Sequence, residues 1–140
     1  MRVQTGVLMK VHNSLRPRGG LLIHLPSLIP VQIVLEARGL YYEETLHEPR
    51  LVEIGRGCQE AIRTVTQWGL FELAGQVTRQ MCEEYDSVGA WVEDRTPFCA
   101  DLEEQAAIAA RLSAMVRGRA HKVEEHWVAE HYLLRKVRRG

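Results

Sequence analysis

Between Gly57 and Tyr85, apolar side chains return every three or four residues, at Cys58, Ala61, Ile62, Val65, Trp68, Phe71, Ala74, Val77, Met81 and Tyr85. That spacing matches one face of a helix with 3.6 residues per turn, and no other feature constrains the chain as much. It predicts an amphipathic helix over this stretch. Gly69 and Gly75 each cost ~1 kcal/mol relative to alanine, so a kink or break is expected near Trp68-Gly69.

Two further helices are expected. Asp101-Leu-Glu-Glu104 reads as a variant capping box with carboxylates near the positive helix end. The helix it opens puts Leu102, Ala106, Ala109, Leu112 and Val116 on one face, and Gly118 supplies a stop. Ala120, Val123, Trp127, Leu134 and Val137 form the stripe of a last helix. Asp86 to Pro97 reads as a connection. Upstream, Val3, Thr5, Val7, Met9 and Val11 alternate with period two, the signature of a half-buried strand. Asn13 to Gly20 is loop chemistry. Val31 to Ala37, then Arg38-Gly39, then Leu40 to Leu46 reads as a hairpin, although Tyr41 to His47 fits a short helix equally well.

The expected fold is therefore α+β, a small N-terminal β segment followed by a three-helix, mainly α C-terminal part. Residues 1–57 form the β and loop segment. Residues 58–140 form the helical domain, packed through Trp68, Phe71, Leu112, Trp127 and Leu134, with a basic C-terminal tail. A chain of 140 residues holds about one core, since single domains use ~100–150 residues. Its 46% hydrophobic and 26% charged content excludes collagen-like, disulfide-scaffold and wholly disordered classes. Three scattered cysteines, Cys58, Cys82 and Cys99, make no disulfide framework, so a reducing cytoplasm is expected. The apolar run Leu21 to Leu35 contains Pro26, Pro30 and His24, and is too short and broken for a spanning helix of ~20 residues.

The formal net charge is zero, with 18 basic and 18 acidic side chains, but the charges are unevenly placed. Eight carboxylates lie between Glu83 and Glu104 against the single cation Arg95. Arg135, Lys136, Arg138 and Arg139 crowd the end of the chain. An acidic middle and a basic end fit a nucleic-acid or acidic protein partner, and equally a solvated helix end whose cations suit its negative pole.

Catalytic and metal motifs are missing. His121, His126 and His131 recur every five residues, which on a helix fans them around the axis, so they cannot share one ion. His-Glu-x-x-His does not occur, and surface imidazole–carboxylate pairs such as His126 with Glu130 are the simpler reading. Gly55-Arg56-Gly57 matches neither phosphate-loop pattern and reads as a cap and turn. Glu83 and Glu84 beside Cys82 oppose a reactive thiolate, and no Gly-x-Ser-x-Gly elbow is present. The carboxylates Glu93, Asp94, Asp101, Glu103 and Glu104 follow no EF-hand pattern. No enzyme, no cofactor and no metal site is expected.

Thr64-Val-Thr-Gln-Trp68-Gly69, Asp101 to Leu112 and the later His131-Tyr132 together resemble the small lambdoid phage late antiterminators of the Q type, over about residues 62–134. The resemblance implies a non-enzymatic phage or prophage transcription regulator in a bacterial cytoplasm, contacting RNA polymerase and DNA. The chain departs from that family in its N-terminal sixty residues and in the helix-turn-helix, which in the family follows the tyrosine. DNA contact would then fall to Arg135, Lys136, Arg138 and Arg139, which suit phosphates rather than base edges. The alternative is a small interaction or assembly protein without a nucleic-acid role. No membrane partner is expected, and a homo-oligomer fits either reading.

Overall fold

The computed structural model describes residues 3–26, 28–99 and 101–137. Helix α1 spans Val3–Ser14, strands β1 Gly20–Pro26, β2 Val31–Ala37 and β3 Leu40–Leu46, helix α2 Pro49–Gln67, strand β4 Phe71–Tyr85, helices α3 Val88–Arg95 and α4 Leu102–Val116, and strand β5 His121–Lys136. A single 3-10 turn, Thr96–Phe98, follows α3. The strands form a five-stranded antiparallel sheet in which β5 pairs with β1, β2 and β4, and β2 also pairs with β3.

This arrangement corrects the expectation of a small N-terminal β segment and a three-helix C-terminal part. Val3 to Val11 is helix, because Thr5 and Leu8 are buried three residues apart while Val7 points to solvent. The helical stripe from Gly57 holds only to Gln67, and Pro49, at the first helical position where its missing N–H costs nothing, starts α2 earlier than expected. Gly55-Arg56-Gly57 thus lies inside α2 and is not a cap and turn. At Gly69, φ of +73° reverses the chain, and Phe71–Tyr85 runs on as a strand. The last predicted helix is also a strand. Its three- and four-residue apolar steps coexist with strand burial at Val123, Glu125 and Ala129, and at Tyr132 and Leu134.

Other expectations match. The β2–β3 hairpin turns at Arg38-Gly39, where Gly39 has φ +74°. Asp101 caps α4, its carboxylate accepting from the Glu104 amide at 3.1 Å. Helix α4 ends at Val116, and Arg117, in the left-handed region at φ +46°, caps it before Gly118.

The chain divides into two compact units, neither of them contiguous: residues 1–28, 52–79 and 129–140, and residues 29–51 and 80–128. In the first, Leu8, Ala61, Ile62, Val65, Phe71, Tyr132 and Leu134 make the core. In the second, Ile33, Leu35, Leu46 and Val123 from the sheet meet Trp91, Ile108, Leu112 and Val116 from α3 and α4. Of the expected core residues, Phe71, Leu112 and Leu134 are buried, Trp127 is half-buried and Trp68 is exposed. Trp91, fully buried, lies where a connection was expected, and Ser87 caps its helix by accepting from the Ala90 amide at 3.0 Å. Among the described residues no helix is long and apolar enough to cross a membrane.

Candidate functional site

The basic tail is divided in use. Lys136 donates through Nζ to the carbonyls of His12 at 2.8 Å and Leu15 at 2.9 Å, binding the end of α1. Arg135 lies 3.5 Å from the Glu72 carboxylate and is half exposed. Arg138 and Arg139 lie outside the described residues. Of the four expected phosphate contacts, Lys136 therefore spends its donors on backbone carbonyls at the end of α1 and just beyond it.

The three histidines at five-residue spacing sit on a strand, so the helical fan and the shared helix face of His126 and Glu130 do not apply. His121 and His126 are five residues apart on β5 and so lie on opposite faces. His121 donates through Nδ1 to the Arg119 carbonyl at 2.7 Å and accepts at Nε2 from the Val88 amide at 3.0 Å, so it caps α3. His131 lies opposite His24 across β1 and β5, with ring centroids 4.6 Å apart.

His126 has different neighbours. Its Nε2 is 2.8 Å from Glu124 Oε2 and 3.7 Å from Cys82 Sγ. Glu124 and His126 are two apart on β5 and so share a face, and Cys82 reaches the same face from β4. The three donor atoms lie within 4.8 Å of one another. Burial, then the charges of Glu124 and Glu84, push the Cys82 thiol up. Cys58 is half-buried and its thiol is raised by burial. Cys99 donates to the Asp101 carbonyl at 3.1 Å. Sequence spacing missed the cluster because Cys82 is remote in the chain. The signal that was there, Glu-x-His, has the spacing for one strand face, not for a helix face.

The opposite face of the same sheet is closed. Arg95 bridges the buried carboxylates of Glu48 and Glu125, and Trp91 Nε1 also donates to Glu125, at 3.3 Å. Charges so held brace a core and are not open to a substrate.

The remaining feature is the outer edge of β4. Among the described residues β4 pairs with β5 alone. Eleven of its fifteen residues are exposed, Leu73 and Val77 among them, so both faces and one edge meet solvent. Edge strands in natural proteins are usually shortened, bulged or guarded by proline and lysine. β4 contains no proline, and Arg79 is its single cation.

No protein-family model matches the chain, and no curated protein or solved structure is significantly similar to it.

Proposed function

We propose that the chain is a non-enzymatic assembly module that associates with a second copy of itself through the outer edge of β4. The observation that carries this reading is the fifteen-residue outer edge of β4, without proline or lysine, which among the described residues pairs with no other strand and suits strand addition. Its charges favour a copy of itself. A two-fold axis normal to the sheet requires paired residues to share a face, and an antiparallel pair of β4 strands centred on Met81 meets that requirement. In that register Arg79 of each copy lies opposite Glu83 of the other, twice per dimer. Val77 faces Tyr85, and Gln80 faces Cys82. Opposite-charge cross-strand pairs contribute roughly 0.2–1 kcal/mol each, on top of the backbone bonds.

Sedimentation velocity of the full chain tests the reading. The expected result is a dimer that dissociates in Arg79→Glu and re-forms in Arg79→Glu/Glu83→Arg. A monomer at high micromolar concentration, or a dimer indifferent to both substitutions, overturns it.

Transcription regulation through RNA polymerase and DNA backbone contacts is a second proposal, favoured by the exposure of Arg135. Salt-sensitive DNA binding that Arg135→Ala weakens would support it. Unchanged binding, or none, would remove it.

A further inference from the structure

We propose that Cys82, Glu124 and His126 form a binding site for one divalent transition-metal ion of zinc's chemical class. The donor set is a thiolate sulfur, an imidazole nitrogen and a carboxylate oxygen, the three ligand types zinc uses in proteins. Tetrahedral bonds of ~2.3 Å to sulfur and ~2.05 Å to nitrogen place those two atoms roughly 3.6 Å apart. Cys82 Sγ and His126 Nε2 are already 3.7 Å apart. Glu124 Oε2 and Nε2, now 2.8 Å apart as hydrogen-bond partners, need only separate by roughly half an ångström to reach the ~3.4 Å of two zinc-bound atoms. The ion would replace that hydrogen bond, and three protein ligands leave a fourth position to solvent.

Strand pairing fixes the backbone under two of the three donors. Glu124 and His126 lie on β5 where it pairs with β2, Glu124 opposite Val34 and His126 opposite Gln32. Cross-strand partners share a face, so Glu43, opposite Val34 on β3, and Glu36, opposite Lys122, also point outward with the cluster. On that face Lys122 is held by Glu84 at 2.7 Å. The surrounding charge is therefore acidic, and it favours a cation at the point where the three donors converge.

Binding requires the thiolate. The ion binds the deprotonated sulfur, so the Cys82 thiol proton is released to solvent as the metal–sulfur bond forms.

The test is titration of the metal-free, reduced full chain with cobalt(II), followed by absorption, then displacement by zinc(II). The expected result is one cobalt per chain, a thiolate-to-cobalt charge-transfer band, and loss of that band on adding zinc. Cys82→Ser should abolish the band. His126→Gln should weaken binding by at least roughly tenfold, as loss of a direct ligand exceeds the 10–100-fold typical of losing its outer partners. Cys58→Ser and Cys99→Ser should leave the band in place, and circular dichroism of each variant checks that it folds. Absence of the band in the folded parent, or its persistence in Cys82→Ser, overturns the site. The same titration on Arg79→Glu separates this inference from self-association: an unchanged stoichiometry is expected whatever the oligomeric state, and loss of binding in a folded Arg79→Glu overturns the site as drawn.

Discussion

Arg95 and Glu125 form a buried ion pair, with Trp91 Nε1 donating to the same carboxylate and Glu48 holding the other side of the guanidinium. All three charged side chains are about nine-tenths buried. A pair of this kind adds little net stability against an apolar replacement, yet removing one partner strands a buried charge. Arg95→Met should therefore cost about 3–5 kcal/mol in urea unfolding. Adding Glu125→Gln to that variant should recover part of the loss. A cost below about 1 kcal/mol for Arg95→Met would show that water reaches the carboxylates.

Lys136 ties the last strand to the end of α1 through two carbonyls. Hydrogen bonds from a charged donor contribute about 1.5–3 kcal/mol, so Lys136→Met should lower stability by about that amount. Its effect on binding to any polyanion should be smaller than that of Arg135→Ala. Parallel chemical unfolding and salt-dependent binding of both variants check the division of labour.

Burial and the Glu130 carboxylate push Tyr132 up to about 12. Unfolded tyrosine ionises near 10, so the folded state prefers the neutral phenol. Its contribution is complete below pH 10 and is lost as pH rises through about 12. Stability should fall over that window, and Tyr132→Phe should flatten the fall. Thermal unfolding from pH 9 upward, with phenolate absorbance followed in parallel, measures both. Tyr85 is raised in the same direction by burial and its bond to Asp94, so some slope should remain.

The acid limb should carry Glu44. Its bond from Arg111 holds the carboxyl below the usual range, against the opposing effect of burial. A lowered carboxyl stabilises above the unfolded value near 4.3 and loses that contribution as pH falls through the folded one. Arg111 is half exposed, so solvent screening keeps the effect small. Arg111→Gln should reduce stability slightly at pH 6 and leave stability at pH 2 unchanged.

The sequence by itself determined the elements whose signals are local. Gly39 permits the positive φ of the β2–β3 turn, and β-branched residues in Val31 to Leu35 suit the strand before it. Asp101 supplies an acceptor for the Glu104 amide and so opens α4, although the buried stripe runs through Ile108, Leu112 and Val116 and leaves the expected Leu102 and Ala106 exposed. Tertiary structure decided β4, β5 and α1. The apolar steps from Phe71 to Tyr85 and from Val123 to Leu134 suit a helix in isolation, and a strand only when a neighbour takes up the backbone hydrogen bonds. β5 finds such neighbours in β1, β2 and β4. The candidate metal cluster depends on that same step. Cys82 meets Glu124 and His126 because two strands remote in sequence pair, and side chains two residues apart then share a face that a helix would have split.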